Sequence, residues 1–231
     1  MPRFETVLMD IDNTLFDFDK TEENALRDTF EKYGVTFTQK ALDEYRNTNR
    51  LLWERFEKGE IEKEYILEHR FDKVCKDNCL HSDKAEMNDF YTDSLSKYFF
   101  PCDGAEELCK ALHGKCKLYI VTNGLKKVQD GRIALSKMGK YFDGIFISEV
   151  MGVQKPSKEF FDIVFDAAQN KDRAKAIILG DSLTSDMTGG RNAGITTCRI
   201  LPAGEKPQGN PLCDYEITHL SQFADIVLQD I

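Results

Sequence analysis

The chain has 231 residues, 41% of them hydrophobic and 31% charged, a make-up that excludes disorder and allows one α/β domain with a modest second unit. Its formal net charge of −9 argues against a nucleic-acid polymer as partner, because a phosphate backbone calls for a basic face. No apolar run approaches the ~18 residues of a membrane-spanning helix, and the N-terminal sequence has no secretory pattern, so a cytoplasmic protein is expected.

Residues 4–12 read as a first strand, apolar until it ends in Asp10 and Asp12. Asp17 and Asp19 follow closely. Two carboxylates about 4 Å apart repel by about 4 kcal/mol at an effective dielectric of 20. The strand tip therefore calls for a positive partner or a shared proton.

From about 18 to 100 the apolar spacing turns helical, and four helices are expected. Asp19 and Glu22 have the spacing of a capping box, and Gly34 ends the first helix. The second starts near Thr38 and carries Leu42, Tyr45, Leu52, Trp53 and Phe56 to Gly59. The third carries Ile61, Ile66, Phe71 and Val74. The fourth starts at Ser82 and runs toward Pro101. Trp53 reads as bundle core more readily than as a stacking surface for a ligand, and Asp17 and Asp19 read as turn and cap residues.

After Pro101 strand and helix alternate. Asp103 and Glu106 suggest a capping box for a helix to about His113. "KLYIVTNG" then reads as a buried strand and turn, 125–138 as a helix, "GIFIS" as a strand and 157–168 as a helix. "AIILGDS", a helix near 184–193, "ITTCRIL" and a final helix from Ser221 complete the chain, with 202–211 as an exposed loop. Such alternation predicts a parallel sheet covered by helices on both faces. The seven cysteines form no CxxC pair and read as reduced thiols without a ligand role, and none of the four scattered histidines is assigned to catalysis.

In an open parallel sheet, ligands bind beyond the carboxyl ends of the strands. The residues expected there are Asp10, Asp12, Asn13 and Thr14 after the first strand, and Thr122, Asn123 and Gly124 after the second. Lys155 and Pro156 follow the third, and Gly180, Asp181, Ser182 and Asp186 follow the fourth. Four carboxylates, one lysine and two hydrogen-bonding side chains thus converge on one edge. Oxygen ligands of this kind suit Mg²⁺, which commonly takes one or two carboxylates, waters and a substrate phosphate. Each residue also has a plainer reading: a turn at Asp12 and Asn13, a surface lysine at Lys155, a helix cap at Asp181 and a first-turn acid at Asp186.

"DIDNT" at 10–14, Thr122 in "VTNG", Lys155 in "QKP" and "GDSLTSD" at 180–186 resemble, in order, the four motifs of the haloacid dehalogenase superfamily. D-x-D-x-T alone is a weak signal; all four, each after an expected strand, make a strong one. The resemblance covers the whole chain. It implies a Rossmann-like three-layer α/β core, residues 1–16 and 101–231, with a four-helix cap domain inserted at 17–100. It implies Asp10 as a nucleophile that forms an aspartyl-phosphate, and Asp12 as the acid and then the base. Thr122, Asn123 and Lys155 would hold the phosphoryl group. Asp10, the Asp12 carbonyl, Asp181 and Asp186 would hold Mg²⁺, with Asp186 acting through water or by anchoring Lys155. Specificity would come from the cap, with Asn49, Arg50 and Trp53 as candidates.

Asp12 favours a phosphate substrate, since dehalogenases of this superfamily lack that acid. "DNTLFDFD", "ISEVMGVQKP" and "GDSLTSDMTGGRNAGITTC" look most like the house-cleaning pyrimidine 5′-nucleotidases, although Gln154 stands where a small residue is frequent. The resemblance therefore implies a monomeric or homodimeric hydrolase of pyrimidine nucleoside monophosphates. A sugar-phosphate or phosphoglycolate phosphatase, a phosphomutase, or a catalytically silent phosphate-binding protein are the alternatives.

Overall fold

Thr6–Met9 forms β1, and all four residues are buried. A strand buried on both faces sits in the middle of a parallel sheet. β1 lies there, paired in parallel with β2 (Lys117–Thr122) on one side and β4 (Ala176–Gly180) on the other. The order is β3-β2-β1-β4-β5-β6, with β3 at Gly144–Ile147, β5 at Thr196–Ile200 and β6 at Tyr215–Ile217, and every pairing is parallel. The computed structural model describes residues 2–80, 84–169 and 172–229.

The helices are α1 (Phe18–Lys32), α2 (Gln39–Glu57), α3 (Lys63–His69), α4 (Asp72–Asp77), α5 (Lys84–Leu95), α6 (Ala105–Leu112), α7 (Lys126–Ser136), α8 (Ser148–Met151), α9 (Lys158–Ala167), α10 (Thr188–Ala193) and α11 (Leu220–Leu228). Leu8, Tyr119, Val121 and Ile178 on one face of the sheet pack with Phe160, Phe161, Val164 and Phe165 of α9 and Ala193 of α10. Strand alternation turns Val7 and Met9 to the opposite face, where they are equally buried. Helices α6 and α11 pack on each other and bury Leu108, Cys109, Leu112, Leu220, Phe223 and Val227, the apolar stripes that such a face needs.

Two compact units divide the chain. The first holds Met1–Phe18, Phe100–Lys126 and Ser136–Ile231; the second holds Asp19–Phe99 and Lys127–Leu135. The helical unit has its own core. Tyr45, Phe71 and Tyr91 form an aromatic trio with centroids 5.0–5.5 Å apart, and Leu52, Phe56 and Ile66 a second cluster, against which Trp53 packs. Residues of α7 join this unit because Gly131 lets them approach the end of α5. A Cβ at Gly131 would lie 2.5 Å from the Ser96 carbonyl oxygen. No helix among the described residues is long and apolar enough to cross a membrane.

The elements depart from the sequence reading at several places. The third expected helix is two helices, α3 and α4, so 18–95 hold five helices rather than four among the described residues. Buried Arg70 lies at the break, donating to Asn88 Oδ1 and Thr92 Oγ1 at 2.8 Å each. Helix α1 starts at Phe18, whose amide is capped by Asn13 Oδ1 at 2.9 Å, and Glu22 turns to Arg46 and Asn49 rather than closing a box with Asp19. Gly104 at φ 77 precedes α6, and Asp103 faces His219 instead. His219, not Ser221, caps α11 and forms a capping box with Gln222. The sheet also gains β6, a three-residue edge strand. The second helix does start at Thr38, whose hydroxyl accepts from Ala41 N–H at 3.1 Å. The expected start of the fourth, Ser82, lies outside the described residues.

Candidate active site

The carboxyl ends of β1, β2 and β4 bring the expected residues together. Asp10 directly follows β1, and its amide continues the ladder to the Leu179 carbonyl at 2.9 Å. Thr122 ends β2, Asp181 follows the last residue of β4, and Lys155 lies in the loop between α8 and α9. Lys155, only 1% exposed, is the hub. Its Nζ donates to Asp10 Oδ1 at 2.6 Å, to Asp186 Oδ1 at 2.7 Å and to the Val121 carbonyl at 2.8 Å. Three donors of one ammonium thus meet three acceptors, which fixes the group without a rotamer to spare.

The backbone of Lys155 is held as well. Asn123 Nδ2 donates to the Lys155 carbonyl at 2.9 Å, and the Lys155 amide donates to Asn123 Oδ1 at 3.0 Å. The Asn123 side chain is therefore committed to positioning Lys155. Thr122 Oγ1 accepts from the Gly124 amide at 3.1 Å. Asp12 is half-buried in the turn after β1. There Asn13, at φ 53, adopts the left-handed conformation that asparagine tolerates.

Asp186 owes its place to a local irregularity. The expected helix near 184–193 is a π-helical turn, Leu183–Met187, followed by α10. The wider turn re-aims a side chain, as such turns often do at functional sites. Here Asp186 folds back over Gly180, where a Cβ would lie 2.3 Å from its carboxylate. Gly180 is thus required by close approach, a role the sequence reading did not assign. Asp186 Oδ2 accepts from the Ser182 amide at 3.2 Å, and Arg199 Nε donates to the Asp181 carbonyl at 2.9 Å.

One carboxylate oxygen from each of Asp10, Asp181 and Asp186 lies within 4.8 Å of the others. Asp12 is outside this group of side chains; the ligand expected from it is its main-chain carbonyl. Three carboxylates around one ammonium leave an excess of negative charge. Burial raises the Asp10 carboxyl; Lys155 pulls it back, Asp186 and Asp12 push it up again, and it stands at about 8. Burial acts to lower the Lys155 ammonium, but Asp10 and Asp186 outweigh it and its pKa is raised, so it stays charged. An all-oxygen donor set with unbalanced negative charge fits a hard divalent cation such as Mg²⁺. Burial pushes the Cys109 thiol up to about 12, far from a reactive thiolate.

A family model for haloacid dehalogenase-like hydrolases matches residues 4–194. The chain is 34% identical to the HAD-hydrolase YfnB of Bacillus subtilis over 227 residues, covering 98% of this chain and 97% of YfnB. A crystal structure of YfnB bound to magnesium superposes with a TM-score of 0.90 over 97% of this chain and 98% of that one. The pyrimidine 5′-nucleotidase YjjG of Escherichia coli is 33% identical over 90% of this chain and 91% of its own. The pyrimidine 5′-nucleotidase PynA of Streptococcus pneumoniae is 33% identical over 99% of this chain and 97% of its own.

Proposed function

The chain belongs to the haloacid dehalogenase-like hydrolases, and from that premise we propose that it is a Mg²⁺-dependent phosphomonoesterase that releases phosphate from pyrimidine nucleoside 5′-monophosphates. The observation that carries the chemistry is the convergence of Asp10, Asp181 and Asp186 around Lys155. The nucleotide substrate is supported by the likeness to YjjG and PynA. In this reading residues 1–16 and 101–231 are the catalytic core and 17–100 the cap domain.

Asp10 attacks phosphorus through a carboxylate oxygen, the bond from phosphorus to the nucleoside oxygen breaks, and Asp12 delivers its proton to that oxygen. An aspartyl-phosphate remains on Asp10. Asp12, now a carboxylate, takes a proton from water as the water oxygen attacks phosphorus, the bond from the Asp10 oxygen to phosphorus breaks, and inorganic phosphate leaves with Asp10 regenerated. Lys155 holds the attacking carboxylate and offsets its charge, and its own position is set by Asp186 and Asn123. Thr122 and the Asn123 amide receive the phosphoryl oxygens. Asp10, Asp181, the Asp12 carbonyl and Asp186 would hold Mg²⁺, directly or through water, and the ion would supply the charge that lets two anions meet.

The test is phosphate release from a panel of nucleoside monophosphates and sugar phosphates with Mg²⁺ and with EDTA. Preference for dUMP, dTMP or UMP, abolished by EDTA, is expected. Turnover spread over sugar phosphates would keep the aspartate chemistry and remove the nucleotide assignment.

A further inference from the structure

Arg199 lies on β5, the strand that contributes none of the expected motif residues. It stands in register beside Gly180, the last residue of β4, with Asp181 next in the chain. Its Nε donates to the Asp181 carbonyl at 2.9 Å. On the far side, the Ser182 amide donates to Asp186 Oδ2 at 3.2 Å. The Asp181 carbonyl and the Ser182 N–H belong to one planar peptide unit. That plane is therefore gripped at both ends, by a cation at its oxygen and by a buried carboxylate at its nitrogen. A peptide plane held at both ends fixes ψ of Asp181, and with it the direction from which the Asp181 carboxylate approaches Asp10 and Asp186.

We propose that Arg199 is a positioning residue for the metal ligand Asp181: by holding the Asp181–Ser182 peptide it sets the affinity of the site for Mg²⁺. The inference rests on the metal-dependent reading above. It also carries a sign that simple electrostatics does not share. Removing a positive charge beside a cation site should tighten Mg²⁺ binding, whereas removing a positioning hydrogen bond should loosen it, by about tenfold for a group that orients a metal ligand.

The experiment is calorimetric titration of Mg²⁺ into the wild type, Arg199→Gln and Arg199→Lys, with the Mg²⁺ activation constant and kcat read separately on a phosphomonoester. Arg199→Gln should bind Mg²⁺ about tenfold more weakly, with kcat at saturating Mg²⁺ within about twofold of wild type because Arg199 touches no reacting atom. Arg199→Lys, which keeps the charge and one donor, should recover part of the affinity. Thermal melts without metal check the fold, and Arg199→Met, which keeps the aliphatic stem, replaces the glutamine variant if that one unfolds. Unchanged or tighter Mg²⁺ binding in Arg199→Gln would overturn the inference. A wild type that binds no Mg²⁺ would instead overturn the reading on which it rests.

Discussion

Asp10 at the carboxyl end of the central strand β1 and Glu22 in the helical unit are both buried acids bonded to a cation, and they differ in what surrounds the bond. Glu22, 4% exposed, meets Arg46 Nε at 3.1 Å and Asn49 Nδ2 at 3.1 Å, one oxygen for each. The one buried carboxylate faces the Arg46 guanidinium, which also lies 3.9 Å from the more exposed Glu23, and the Asn49 amide satisfies the second oxygen. Asp10 shares a single ammonium with Asp186, and a carboxylate oxygen of Asp181 lies within 4.8 Å of both. A paired ion with its lone pairs filled is what a stable interior tolerates. Like charges gathered in excess are tolerated where function needs them, because a metal or a substrate completes the balance. The two regions thus separate a structural ion pair from a working site by charge count, where burial alone would not.

The comparison breaks if the Asp10 cluster behaves as a structural pair. Asp10→Asn should cost on the order of 10⁴-fold in kcat while the protein stays folded, since it removes the nucleophile and replaces it with a neutral side chain of the same shape. Steady-state phosphate release beside a thermal melt measures both. An equal loss of stability and activity would make Asp10 a structural residue.

Lys155→Met should destabilise by about 3–5 kcal/mol in urea titrations without metal, because it strips the one ammonium from two buried carboxylates. Added to Asp10→Asn, the same change should cost less, since one of the two carboxyl groups bonded to Lys155 is already gone. Strict additivity would remove the coupling the geometry implies.

The pH dependence sharpens the contrast. The Asp10 carboxyl stands at about 8, above its ordinary value of 3.8, so the metal-free folded protein holds a proton that the unfolded chain releases. The stability from that proton is full below 3.8 and is lost as pH rises to about 8. Mg²⁺ must displace the same proton, so its affinity should rise by up to about tenfold per pH unit and level off above the Asp10 pKa. Calorimetry in two buffers of different ionisation enthalpy counts the proton released. Mg²⁺ affinity that does not vary with pH would contradict the account.

The smallest effect belongs to Glu22. Burial raises it, Arg46 opposes, and it stands at about 7 against an ordinary 4.5. Folded protein therefore holds the proton longer, and stability should decline as pH rises from about 4.5 to about 7. Glu22→Gln should flatten that decline, shifting stability by about 1 kcal/mol and leaving kcat unchanged. A large loss of kcat would move Glu22 from structure to function.

The convergence of residues beyond the sheet was legible in part because Asp10 and Asp181 directly follow strands and Thr122 ends one, and strand ends can be read from the end of an apolar run. Asp10, Thr122 and Asp181 need only that rule. The arrangements that position them were not legible, because they depend on contacts across the sheet. The π turn at Leu183–Met187 brings Asp186 over Gly180, a close approach that no local periodicity encodes. Arg199 reads as an ordinary residue in "ITTCRIL" until the β4–β5 register sets it beside Gly180. Asn123 was expected at the phosphate, and only the folded chain commits its side chain to Lys155. The α3–α4 break follows from Arg70 reaching Asn88 and Thr92, far along the sequence. The three-residue β6 is too short for alternation to register.

The most direct test of the central claim is to catch the phosphoryl group on Asp10. Enzyme turning over a pyrimidine nucleoside monophosphate with Mg²⁺ would be quenched in acid, reduced with borohydride and digested for peptide mass spectrometry. The account predicts homoserine at position 10, the reduction product of an aspartyl-phosphate, and none when EDTA is present. Steady phosphate release with position 10 unmodified, and retained by Asp10→Asn, would contradict it.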